Sequence, residues 1–190
     1  METYIILVVS LFVGFFLGYT ASFRKFTNER KKAGEDYLTK VFNYREFDKK
    51  MDEIIHFRTG YNAASLFDLD HFKKINEAYD YEAGDQVLTQ FVEVISSHIR
   101  SSDMLFRFKN GDEFVVLFRN LPQDQLTTIN DRLRNSIENS SFVCKKETVH
   151  LTVSAGTTLI KENETKDTLV KRLEKGLKVA KEEGNKVFAL

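Results

Sequence analysis

Three groups of residues have the types and spacing for chemistry. Asp68-Leu69-Asp70 closes a short apolar run from Ala63 that reads as a buried strand. Side chains alternate along a strand, so the two carboxylates share a face while Leu69 turns to the other. Asn110-Gly111-Asp112-Glu113 separates two further apolar runs. Asn-Gly is a strong hairpin signal, and with that hairpin beside the first strand, Asp112 is expected to face Asp68. Two carboxylates and a strand-end carbonyl are hard oxygen ligands, suited to Mg²⁺ shared with a substrate's phosphates. Two such ions clamp the attacking and leaving oxygens of a phosphoryl transfer. The third group is Lys73, Lys74, Asn76 and Asp85. A lysine near a helix start is placed for phosphate. Asp85 can accept the N–H donors of guanine's Watson–Crick edge, and adenine has no donor at N1.

Each group also has a simpler explanation. Asp70 could cap the next helix, Asn-Gly makes a turn without any function, and the third group could be a solvated helix face. Their combination is what points to chemistry. The chain has no G-x-x-x-x-G-K-[ST] sequence, which excludes a P-loop. His56, His71, His98 and His150 lack metal-ligand spacing. The single Cys144 rules out an intramolecular disulfide and a Cys-rich zinc site. With 28 Lys+Arg against 28 Asp+Glu there is no global field for nucleic acid, and none is expected as a partner.

The elements that must position these residues follow from periodicity. Leu38 to Phe57 has helical spacing through Phe47, Met51, Ile54 and Ile55, with Asn43 as a cap and Gly60 beyond its end. Helices are expected over Phe72 to Tyr79, Gln86 to Ile99, about 124 to 138 after Pro122, and Asp167 to Glu183. Met104 to Phe108 and Phe114 to Phe118 are expected strands joined at Asn110-Gly111, with a pair from Phe142 to Cys144 and Val149 to Leu159, and a short strand at Val187. Strands alternating with helices around a hairpin predict an α/β or α+β sheet with helices packed on it.

Tyr4 to Phe23 carries no charge, and roughly 20 such residues cross a bilayer. Glu2 precedes this run and Arg24, Lys25, Arg30, Lys31 and Lys32 follow it. A signal peptide has the opposite charge order, so an uncleaved anchor is expected, with the C-terminal domain in the cytoplasm. Gly14 and Gly18 form a G-x-x-x-G pair that lets two helices approach. The expected organisation is a transmembrane helix over 1–23, a charged linker over 24–35 and a domain over 36–190.

From Asp36 onward the chain resembles the GGDEF family of diguanylate cyclases. Asp36-Tyr37-Leu38-Thr39 with Asn43 and Arg45 resembles D-x-L-T…N-R, and Asp68 to Asn76 resembles D-x-D-x-F-K-x-I-N. Ala83-Gly84-Asp85 with Val87-Leu88, Thr152 to Gly156, and Ala180-Lys181 match G-D-x-V-L, T-V-S-x-G and the late A-K. The resemblance implies a nucleotidyl-cyclase, palm-like fold with a central, mainly antiparallel sheet. It implies Mg²⁺, with Mn²⁺ as a substitute, on Asp68, Asp112 and the Leu69 carbonyl. Asn76 and Asp85 would bind guanine, Lys73 and Lys181 the phosphates, and Gly111 the nucleotide. Asp112, with Glu113 as the lesser candidate, would assist proton removal. Two GTP molecules would become cyclic di-GMP and pyrophosphate across an antiparallel homodimer, on the bacterial inner membrane. Arg100-Ser101-Ser102-Asp103 resembles the R-x-x-D product-inhibition site.

The chain also departs from that pattern. Asn110 replaces the first glycine of the signature, Lys109 makes the stretch from Arg107 one residue longer, and Asp80-Tyr81 replaces Gly-His. Asn185 stands where the family has arginine. Two alternatives therefore remain beside an active cyclase. One is a silent domain that binds GTP or cyclic di-GMP and acts by protein contact; the other is a palm-type enzyme of different base choice, which a comparison of ATP with GTP separates.

Overall fold

The computed structural model describes residues 33–57, 60–109 and 111–190. The anchor expected over 4–23, its Gly14/Gly18 pair and Asn110 lie outside the described residues. Among the described residues no helix is long and apolar enough to cross a membrane.

Asp36–Leu190 forms one compact unit. Helix α1 (Tyr44–Phe57) begins where the Asn43 side chain accepts the Glu46 N–H at 3.1 Å, six residues later than the apolar spacing implied. Strand β1 (Tyr61–Leu69) follows, then the short α2 (Phe72–Ala78) and α3 (Tyr81–His98). Asp80 caps α3 by accepting the Ala83 N–H at 3.0 Å, so α3 starts five residues before the expected Gln86. Strands β2 (Met104–Phe108) and β3 (Glu113–Arg119) form the hairpin, and α4 (Leu126–Glu138) comes after a 3₁₀ turn. The last elements are β4 (Phe142–Cys144), β5 (Glu147–Val149), β6 (Val153–Leu159), α5 (Lys166–Glu183) and β7 (Val187–Ala189).

The five-stranded sheet runs β2-β3-β1-β6-β7, antiparallel except for β6 with β7. One expected pairing is corrected. Phe142–Cys144 pairs with Glu147–Val149 as a separate two-stranded ribbon, while β6 joins the main sheet against β1. Lys145 and Lys146 take positive φ (46° and 71°) and turn the chain back at once. Pairing with a neighbour two residues away then wins locally over a longer register.

Alternation along β1 divides the core. Ala63, Phe67 and Leu69 pack with α3 and α4; Ala64 and Leu66 pack on the other face with α1 and α5. By the same period, Asp68 lies on the α1/α5 face. Helix α5 crosses β6 so closely that a Cβ on Gly156 would come 2.2 Å from the Leu173 carbonyl oxygen. That contact lays α5 on the sheet and carries Lys181 to the end of β1.

A carboxylate-lined cleft at the strand ends

In register, Asp68 lies opposite Glu113, and the Leu69 N–H donates to the Asp112 carbonyl at 3.4 Å. Asp68 therefore faces Glu113 directly, not Asp112 as expected, because β3 starts one residue earlier. Asp112 remains near enough to repel the Asp68 carboxylate. The Asp68 side chain is 15% exposed and paired with Lys181. Burial pushes its carboxyl up to about 6, more strongly than Lys181 pulls it down, and repulsion from Asp112 and Asp70 adds to the rise. Burial likewise raises Glu113, helped by repulsion from Asp68 and opposed by Lys109. Among the described residues no three His, Cys, Asp or Glu side chains converge to hold a metal by themselves.

Asp70 is bonded within the fold and does not cap the next helix. Thr152 Oγ1 and Ser154 Oγ donate to its carboxylate at 2.7 and 2.8 Å, and the Asn185 N–H donates at 2.9 Å. It caps nothing: His71 is the residue ahead of α2, in a left-handed conformation with no side-chain cap.

Next to this end of the sheet is a cleft of about 610 Å³. Lys73, Asn76, Asp85, Gly111 and Asp112 all line it, with Phe72 and Leu88 as apolar lining and Tyr81 exposed. Sequence positions spread over 40 residues are thus brought together. Lys73 is 88% exposed, 3.4 Å from Glu77. Asn76 Oδ1 is buried with no hydrogen-bond partner, and it fits only because residue 84 is glycine: a Cβ there would lie 1.9 Å away. Gly111 has no such internal reason, since a Cβ on it would meet only the Glu113 nitrogen, at 3.9 Å.

Arg107 also lines the cleft, and its structural part went unread in the sequence. Its Nε donates to the Gly111 carbonyl at 3.0 Å, and its NH1 group donates to Asp36 at 2.9 Å in a buried ion pair. Burial opposes ionisation of Asp36, but bonds from Thr39 and Arg107 outweigh it and hold the carboxyl below its ordinary range. The hairpin is thereby tied to the start of the domain. The available signal was an arginine inside the otherwise apolar run Met104 to Phe108, which needs a partner when buried.

Arg100 and Asp103 lie at the other end of the β2-β3 hairpin from its turn. Asp103 accepts the Arg100 N–H at 3.0 Å and the Arg119 N–H at 3.1 Å, so its carboxylate closes a turn there. Asn185 turns to α4, accepting from Arg134 at 2.7 Å and donating to Glu138 at 2.8 Å. Lys186 pairs with Glu183 at 3.3 Å.

A family model described as "Diguanylate cyclase, GGDEF domain" matches residues 33–187. The chain belongs to the GGDEF family. An uncharacterized membrane protein of Staphylococcus haemolyticus is 32% identical over 166 residues, covering 84% of this chain and 46% of the relative. One of Staphylococcus aureus is 32% identical over 171 residues, covering 86% and 47%. The chain thus spans about half the length of these relatives. The GGDEF fold is shared with the coiled coil and GGDEF domain of DgcB from Caulobacter crescentus, solved with c-di-GMP (TM-score 0.81, 23% identity, 92% of this chain and 95% of that one). It is shared also with the diguanylate cyclase SiaD of Pseudomonas aeruginosa, solved with its activator SiaC (TM-score 0.80, 23% identity, 90% and 68%).

Proposed function

We propose that this GGDEF domain is a diguanylate cyclase that binds GTP in the 610 Å³ cleft and joins two GTP molecules into cyclic di-GMP and pyrophosphate. The observation that carries the reading is Asn76 Oδ1, a buried acceptor left without a donor. Such an atom costs about 1–3 kcal/mol unless something donates to it. Guanine's N–H edge supplies donors, and Asp85 on the same cleft supplies a second acceptor.

The donor set of Asp68, Asp112 and the Leu69 carbonyl fits a hard divalent cation, since positive charge relieves the burial and mutual repulsion that raise the Asp68 carboxyl. These groups would hold Mg²⁺ or Mn²⁺, which when bound acidifies the 3′-hydroxyl and offsets phosphate charge. Asn76 and Asp85 fix the base. Lys73 and Lys181 meet the phosphates, Lys181 exchanging its Asp68 contact for them. Asp112, with Glu113 adjacent, receives the proton of the 3′-hydroxyl. That oxygen bonds to the α-phosphorus of the partner protomer's GTP, and the bond to pyrophosphate breaks. Two copies paired antiparallel bring the two nucleotides together. The uncharged run over 4–23 supports anchoring in the inner membrane, where paired helices raise the local concentration of domains.

A second reading has one specific observation behind it: the Asn185 side chain is committed to α4 and brings no charge to the phosphates. A domain short of one cation could bind nucleotide and signal by contact without turnover. The full-length protein in detergent or lipid discs, given GTP and Mg²⁺ with product identification, separates the two. Cyclic di-GMP is expected from the unaltered chain and its loss from Asp112→Ala. Binding without product from a demonstrated dimer favours the second reading, and no nucleotide binding at all rules out both.

A further inference from the structure

Five charged side chains gather where β1, β3 and α5 meet the hairpin. Lys181 pairs with Asp68, Lys109 lies 2.6 Å from Glu174, and Glu113 sits between the two pairs as the cross-strand partner of Asp68 and within electrostatic reach of Lys109. Glu174 and Lys181 are seven residues apart on one helix, about 10 Å along its axis. Two ammonium groups thus flank a half-buried carboxylate pair.

Lys109 is the residue by which the hairpin is lengthened. It takes a left-handed conformation with φ of 50°, which costs a lysine about 1 kcal/mol, and its ammonium lies 4.8 Å from the Phe108 ring centroid. Its partner gives little in return. Both side chains of the Lys109–Glu174 pair are nearly half exposed, at 48% and 42%, and pairs in that setting contribute between 0 and about 1 kcal/mol. A more highly charged anion therefore displaces Glu174 readily.

Three other cations near the strand ends are already committed. Arg107 is buried against Asp36 and the Gly111 carbonyl, Arg134 is bound to Glu138 and Asn185 on α4, and Lys186 lies on Glu183. The turn after α5 presents neutral Asn185, facing away. With the charge of a divalent cation already offset by Asp68 and Asp112, Lys73 and Lys181 do not balance a nucleoside triphosphate.

We propose that Lys109 is a phosphate-binding residue of this chain, parked on Glu174 and drawn from it to the terminal phosphates of a bound nucleoside triphosphate. It makes up the charge that Asn185 does not bring. This rests on the GTP-binding reading above, and the test keeps the two apart.

Binding of a non-hydrolysable GTP analogue and of GMP to the full-length protein in Mg²⁺ is measured by calorimetry. Lys109→Asn removes the charge but retains a residue that tolerates left-handed backbone. It should weaken the triphosphate about 10-fold and leave GMP unchanged, as expected for a contact to terminal phosphate. Glu174→Gln frees the ammonium and should tighten the triphosphate a few-fold, again with GMP unchanged. Equal weakening of both nucleotides by Lys109→Asn would assign the residue to hairpin shape and overturn the proposal, as would no weakening. Failure of the unaltered chain to bind either nucleotide overturns the GTP reading itself and this proposal with it.

Discussion

Asp68 and Asp70 stand two residues apart at the end of one strand and meet opposite surroundings. Asp70 is well engaged: the hydroxyls of Thr152 and Ser154 and the Asn185 N–H bond both of its oxygens and fasten the turn after α5 to the sheet. Asp68 is half-buried near Asp112 and Glu113, has one lysine for company, and is pushed up to about 6. A carboxylate that keeps its ordinary bonding partners within the fold is part of the framework. One that the fold buries at a cost, within reach of other carboxylates, is available to something the protein must bind. The pair teaches that identical side chains on one face divide into structure and function by what surrounds them.

Exchanging the two roles by mutation tests that division, and the largest effect is expected on turnover. Asp68→Ala should lower cyclic di-GMP formation by at least about 100-fold, the scale of losing a group that stabilises transition-state charge, while the thermal midpoint does not fall. A drop in midpoint with turnover intact would reverse the assignment.

Asp70→Ala is next. It strands two hydroxyls and a backbone N–H, and should cost about 2–4 kcal/mol in denaturant unfolding of the 36–190 unit within the intact protein. A loss under 1 kcal/mol would mean that the turn after α5 is held by other bonds.

The smallest effect is a gain. Asp68→Asn removes a charge whose burial is unfavourable, so the nucleotide-free protein should be stabilised at pH 7 by about 1–3 kcal/mol. The pH dependence fixes the sign. The folded state binds the Asp68 proton more tightly than the unfolded chain, where the pKa is near 3.8, so its contribution is full below that value and is lost as pH rises through about 6. The stability difference between Asp68→Asn and the unaltered protein should therefore open between pH 4 and 6 and stay level above. A difference that is flat across that window would mean Asp68 is not desolvated.

Much of this was legible in the residues because the physics is local. Strand β2 has the bounds that its apolar run and the Asn-Gly turn imply, and Asn43 caps α1 as its type and position predict. The gathering of Lys73, Asn76, Asp85, Gly111 and Asp112 onto one cleft followed from ordered motifs. What was missed depends on partners distant in sequence. The early start of α3 at Tyr81 needed the Asp80 cap, which in turn is fastened by Lys145 on the β4-β5 ribbon. The separate pairing of β4 with β5 needed a turn at two consecutive lysines, a residue type that carries no turn signal. Arg107 with Asp36 spans 71 positions, and no spacing rule reaches that far.

By itself, the sequence determined the family, a sheet with helices packed on it, and the residue types of the cleft, because turn chemistry, hydrophobic period and motif order are properties of neighbouring residues. That the sheet is mainly antiparallel was implied by the family resemblance. The tertiary structure alone decided which carboxylate would be satisfied and which left exposed to repulsion. Register placed Glu113 rather than Asp112 opposite Asp68, and the close crossing of α5 over Gly156 set Lys181 on it. Burial and charge are sums over everything packed nearby, so they exist only once the chain has folded.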